Sequence, residues 1–176
     1  MNIFYLSENV KECAEWHVDK HCVKMILEYA QMLSTAHRVL DGDEYADEKN
    51  LYKIAHKNHP STIWVRSSLK NYSYLYTLFC ALCDEYTHRY QKIHVTDKKL
   101  RRALSSLPKN IPETSFTEPP QCMPEECKVV GDSIQAYHNY YREYKKSFAK
   151  WYKSKANGPY WFYQEGIDLD TYPLFH

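Results

Sequence analysis

From about Val10 to Leu40 apolar side chains recur at spacings of three and four, through Cys22, Met25, Ile26, Tyr29, Met32, Leu33, Ala36 and Leu40. At about 100° per residue these positions form one stripe, so the spacing predicts a long amphipathic helix. Residues 2–6 read as a short strand or an extended lead-in, and Ser7 can cap the helix after it. Gly42 suits the left-handed position that ends the helix. Residues 41–48 hold five acids and no base, a solvated link to a short helix expected around Leu51–Ala55. Pro60 fits a first helical turn, and a second long helix is expected from there to about Tyr90, with Trp64, Ser68, Tyr72, Leu75, Phe79, Leu82, Cys83 and Tyr86 as its core stripe. A short basic helix comes next over Asp97–Leu107. Residues 108–124 hold five of the eight prolines and no helical period, which predicts an ordered irregular loop within 108–127. A third long helix is expected after Asp132, which with Gln135 resembles a capping box. Its stripe is Ile134, Tyr137, Tyr141, Tyr144, Phe148 and Trp151. The aromatic tail, 157–176, is expected to pack back on the body. The fold class expected is therefore mainly α: one helical bundle over residues 1–176, with three long helices, short extra helices and one long proline-rich loop.

Charge changes this picture locally. The 23 basic and 22 acidic residues nearly cancel, which excludes a bulk polycation and an acidic disordered chain. Residues 128–155, however, carry seven bases against two acids, interleaved with aromatics. That combination suits phosphates and stacked bases, and it equally suits a solvated lysine face behind an aromatic core. No apolar run reaches the roughly 20 residues of a membrane helix. The start lacks the pattern of a signal peptide, so a cytoplasmic protein with reduced cysteines is expected. Cys80 and Cys83 form a CxxC in the middle of a predicted helix, where they read as buried small apolar groups. A zinc site joining them to Cys122 and Cys127 is the alternative.

Candidate chemistry concentrates on the first helix. His17, His21, Lys24 and Glu28 fall together on the flank of its apolar stripe, with Lys20 beside them. His17 and His21 are i and i+4, so their rings can converge. Four readings stay open: a divalent metal held by His17 and His21, an anion or substrate site with Lys20 or Lys24, acid–base catalysis by a histidine, or simple packing. His59, Pro60 and Ser61 open the second long helix and either cap it or face a substrate, with Arg66 as an anion-binding fork. Asn71 and Tyr72 come soon after, and Tyr137 and Arg142 stand on the third helix. Glu85 is i−3 to His88 and can orient it. No Walker loop, dinucleotide fingerprint or nucleophile elbow is present.

Two stretches carry a resemblance. One runs from Met1 through His17-Val18-Asp19-Lys20-His21-Cys22-Val23-Lys24-Met25 to Gly42. The other is Asn58-His59-Pro60-Ser61-Thr62-Ile63-Trp64-Val65-Arg66. Together they resemble a family of small tailed-bacteriophage proteins with no assigned reaction. The resemblance implies a viral setting, in the cytoplasm of an infected bacterium, and raises nucleotides and nucleic acids as substrates. The function expected is an accessory enzyme acting on a nucleotide or nucleic-acid base. His17, His21 and His59 would be catalytic, and Lys20, Lys24, Glu28, Arg66, Asn71, Tyr72, Tyr137 and Arg142 would bind substrate. The alternatives are a non-catalytic DNA or RNA binder using helix 128–155, and a host-interaction protein.

Overall fold

A computed structural model describes residues 1–154 and 158–163. Among these residues seven α-helices run in order: α1 (Val10–Trp16), α2 (Asp19–Asp41), α3 (Glu44–Glu48), α4 (Pro60–Ser67), α5 (Leu69–Tyr90), α6 (Val95–Leu104) and α7 (Ser133–Tyr144). The mainly helical class expected from the spacing is what the structure shows. No strand occurs among the described residues, and residues 2–6 form a lead-in without regular secondary structure. The central α2 packs against α3, α4, α5 and α6, and α1 packs against α5. The stripe from Cys22 to Ala36 is buried as expected.

The first expected helix is two. His17 and Val18 are extended, with ψ of 129° and 156°. The cause is the His17 side chain. Its Nδ1 takes the Cys13 carbonyl at 2.7 Å, the acceptor that the residue's own backbone N–H would use in a continuous helix. That N–H turns to Ala14 instead. The cap of α1 is Asn9 rather than Ser7, whose hydroxyl supports Asn9 and Glu12. Gly42 ends α2 at φ 82°, as the sequence requires.

The second expected helix also breaks, at Ser68. Its hydroxyl accepts the Lys70 N–H and donates to the Thr114 carbonyl at 2.6 Å, while Leu69 N–H reaches Pro112. The proline loop thus takes backbone partners that an unbroken helix would have kept. Residues 51–55 are not helical. Ser34 and Thr35 hydroxyls accept the N–H groups of Tyr52 and Ala55, and Arg38 donates to the carbonyls of Leu51 and Tyr52. The short helix lies earlier, at α3.

The third expected helix ends at Tyr144, well short of residue 155. Lys150 offers its carbonyl to Asp19 N–H, and the Trp151 indole donates to the Trp16 carbonyl. The chain turns back to satisfy the gap between α1 and α2. Asp132 caps α7 at Gln135 N–H, as expected. In the tail, Trp161 is buried against His138, with ring centroids 3.7 Å apart. Residues 155–157 and 164–176 lie outside the described residues, so most of the expected tail packing does too.

Candidate functional site

His17 is fully buried. A carbonyl cannot donate, so Nδ1 carries the proton and gives it to Cys13. Nε2 is 2.8 Å from the Tyr29 hydroxyl, which itself accepts the Phe4 N–H at 3.1 Å. Tyr29 therefore donates to His17, and both imidazole nitrogens are occupied. Burial pushes the pKa of His17 down to about 4. The side chain is a neutral strut that ties residues 1–6 to α1 and α2, with no lone pair for a metal and no proton to exchange at neutral pH.

The strut has a pH signature. Unfolded histidine titrates near 6.5, so between that value and about 4 the unfolded chain binds a proton that the folded one refuses. Stability therefore falls as pH drops through this window. The expected loss attributable to His17 is about 2–3 kcal/mol between pH 7 and pH 4.5. Urea unfolding at both pH values should show a drop smaller by that amount in His17→Gln; equal drops in the two proteins would contradict the assignment.

His21 is buried differently. Tyr141 hydroxyl accepts the Val18 N–H and lies 2.9 Å from His21 Nδ1, so it donates there. Nε2 then carries the proton. Phe4 stacks on the ring at 4.2 Å, and Phe148 meets its edge. Burial first, then His17 and the ammoniums of Lys145, Lys24 and Lys20, push its pKa down to about 2. In this arrangement His21 is a neutral ring with Nε2–H as its donor.

Above this floor stands a ring of cations. Lys20 Nζ lies 4.6 Å from the Phe148 ring, and Lys145 Nζ 4.7 Å from that of Tyr140. Lys24, exposed, approaches Glu28 at 3.8 Å, beyond hydrogen-bond reach. Glu28 Oε2 is buried and has no hydrogen-bond partner. Residues 1–4 lead from here to the start of α4. There Thr62 hydroxyl donates to the Met1 thioether, and His59 Nδ1 accepts Ser61 N–H. Burial and the nearby Met1 amine hold the His59 pKa down. Arg66 donates to the Lys57 carbonyl.

The other expected substrate-binding residues are clamps. Asn71 donates to Trp64 carbonyl and accepts Thr117 N–H. Tyr72 hydroxyl donates to Leu104 carbonyl, and Tyr137 to Pro120. All three are buried. Arg142 holds Asn139 and the Trp161 carbonyl. Asn71 and Tyr137 anchor the proline loop, Tyr72 ties α5 to the end of α6, and Arg142 holds the segment around Trp161. Glu85 pairs with Arg89, not with His88. Among the described residues no group of three or more His, Cys, Asp or Glu side chains is arranged to hold a metal ion, the cysteine pairs included. In the sequence Tyr29 and Tyr141 stand out only as members of apolar stripes, and Phe4 only as part of the lead-in. Their positions mark them as core and carry no sign of their hydroxyl or stacking roles.

A sequence model of the pyrimidine dimer DNA glycosylase family matches residues 1–98. The chain belongs to that family. No individual curated protein and no solved structure matches it. The match covers α1 to α5 and the start of α6, including Lys20, His21, Lys24, Glu28, His59 and Arg66. In this pyrimidine dimer DNA glycosylase family member, α7 lies beyond the matched stretch yet brings Tyr140, Tyr141 and Lys145 to the same face. The family supplies a reaction class, which the bacteriophage resemblance did not: a DNA-acting glycosylase working on bases. No helix among the described residues is long and apolar enough to cross a membrane.

Proposed function

We propose that the protein excises a dimerised pyrimidine from DNA by breaking the bond between deoxyribose C1′ and the base N1. The lysine-rimmed aromatic surface at the start of α2 is the DNA-binding face, and Glu28 is the carboxylate beside the reacting sugar. The observation that carries this reading is the Glu28 oxygen, buried without a donor next to Lys24. When the glycosidic bond breaks, its electron pair leaves with N1 and positive charge develops on the sugar ring; water adds at C1′, one of its protons ends on the departing base, and a hydrated abasic sugar remains. A fixed carboxylate stabilises that charge more than the neutral ground state, as it does in glycoside cleavage. Lys20, Lys24 and Lys145 supply the cations that a phosphate backbone requires. An extruded base can stack on Tyr140 or Phe148 by displacing the lysine ammonium that lies over that ring. A dimer is already poorly stacked, so turning it out of the duplex costs less than for an intact base. The His21 Nε2–H adds a neutral hydrogen-bond donor, while His59 and Arg66, toward the Met1 end, suit a second phosphate contact. The bacteriophage setting belongs to this proposal and is supported by the sequence resemblance.

The test is excision from a labelled duplex carrying one cyclobutane thymine dimer, beside the same duplex undamaged. Abasic sites are read as alkali-induced strand breaks. Breaks at the dimer alone are expected. Tight binding without breaks in either duplex would instead favour the non-catalytic DNA-binding alternative, and neither binding nor breaks would favour a protein partner.

A further inference from the structure

The carboxyl-terminal end of α2 carries a second polar cluster, one that base excision leaves unused. His37 is 2% exposed. Its Nε2 lies 2.9 Å from the Tyr72 hydroxyl, which donates its single proton to the Leu104 carbonyl at 2.7 Å. The imidazole must therefore donate through Nε2–H, and Nδ1 is left as an acceptor. That Nδ1 is buried and has no hydrogen-bond partner, a condition that native interiors seldom tolerate. Burial also lowers the pKa of His37, against smaller opposing effects of Asp41 and the Ser106 backbone, which favours a neutral ring.

A cavity of about 440 Å³ opens against this ring, lined also by Asp41, Glu44, Tyr45, Glu48 and Lys109. Tyr45 forms a flat wall, its ring stacked on His37 at 5.2 Å and 28°. Asp41 is held in place by the backbone N–H groups of Lys109 and Asn110. Glu44 and Glu48 stand exposed at the rim. The lining thus combines an orphan acceptor, an aromatic face and three carboxylates against one ammonium.

We propose that this cavity binds a guanidinium group. Such a group is planar, weakly hydrated and always charged, so it stacks on Tyr45, donates inward to His37 Nδ1 and meets the rim carboxylates. An alkylammonium matches the charge but gains less from the flat wall. A phosphate is repelled, so DNA is not the occupant. His37 and Lys20 are 17 residues apart on one helix, about 25 Å at 1.5 Å per residue, which keeps this site clear of the proposed DNA face.

The probe is ethylguanidinium chloride, titrated into the full chain without DNA while the imidazole nitrogen signals of His37 are followed by nuclear magnetic resonance. A saturable shift of Nδ1 is expected, with none from the same concentrations of sodium chloride. Glu44→Gln/Glu48→Gln, on the exposed rim, should weaken binding about three- to tenfold and leave base excision unchanged. A shift that never saturates and matches the salt control, or full affinity in the double variant, would overturn the proposal. A capped Gly-Arg-Gly peptide distinguishes the sources. Binding with the same shift assigns the cavity to an arginine of a partner protein. Its exclusion while ethylguanidinium still binds assigns a free small molecule. Either result supports guanidinium recognition, and neither depends on the excision chemistry.

Discussion

Glu28→Gln is expected to cut excision at a thymine dimer by about 10²–10³-fold, the usual loss when one group that stabilises developing charge is removed, while binding to the same duplex changes only a few-fold. Glutamine keeps the size and one carbonyl oxygen, so packing on α2 is preserved. What it loses is negative charge at the position of Oε2, which has no donor in the unliganded protein. An interaction made only as charge develops on the sugar appears in the rate and not in affinity. Single-turnover excision and duplex binding, measured side by side, separate the two. If rate and affinity fell together, Glu28 would be a ground-state contact or a structural group. If neither moved, the carboxylate would lie away from the chemistry. Lys24→Gln is the companion variant. As a phosphate contact it should weaken binding and reduce its salt dependence.

The largest effect on stability is expected from Arg89→Met. The Arg89 side chain is fully buried. Its Nε donates to Glu85 at 3.1 Å, Nη1 to Asp19 at 3.0 Å and Nη2 to the Glu15 carbonyl at 2.9 Å. One guanidinium thereby joins the end of α1, the start of α2 and the last turn of α5. Removing it strands two carboxylates in a desolvated space, at a cost of about 3–5 kcal/mol. For a chain of this size that is a fall in melting temperature on the order of 10 °C. Arg89→Met/Glu85→Leu should recover part of the loss, because the stranded charge is removed with its partner. Arg101 also bonds two carboxylates, Asp97 and Asp84, but is one-third exposed. Arg101→Met should therefore cost about 1 kcal/mol or less. Thermal unfolding of the three variants gives the comparison, and equal effects for Arg89 and Arg101 would contradict it.

Several features are legible in the chain's own residue pattern. Periodicity locates the buried face of α2, since a 3.6-residue repeat needs only local chain geometry. Asp132 and Gly42 mark helix ends for the same local reason. Helical spacing alone places Lys20, Lys24 and Glu28 together, and the structure keeps them on one flank. The proline loop reads as ordered, although nothing in its sequence names Asn71, Trp64 and Tyr137 as its anchors.

What periodicity cannot supply is the identity of each side chain's partner. It reports that Tyr29, Tyr72, Tyr137 and Tyr141 face inward, and an apolar stripe accounts for their rings without their hydroxyls. Those hydroxyls meet His17, His37, Pro120 and His21 across long stretches of chain. A histidine on a helix flank looks the same in sequence whether it is a strut, a fixed donor or a base. Only burial and the donor at the other end of each bond show that both nitrogens of His17 are occupied and that His21 is left with Nε2 as its donor. The helix breaks at His17 and Ser68 have the same origin, because side chains and a distant loop took over backbone partners there. By itself the sequence determined the helical class, the buried faces and the charged flank of α2. The tertiary structure determined which polar groups on those faces are satisfied, and therefore which remain free to act.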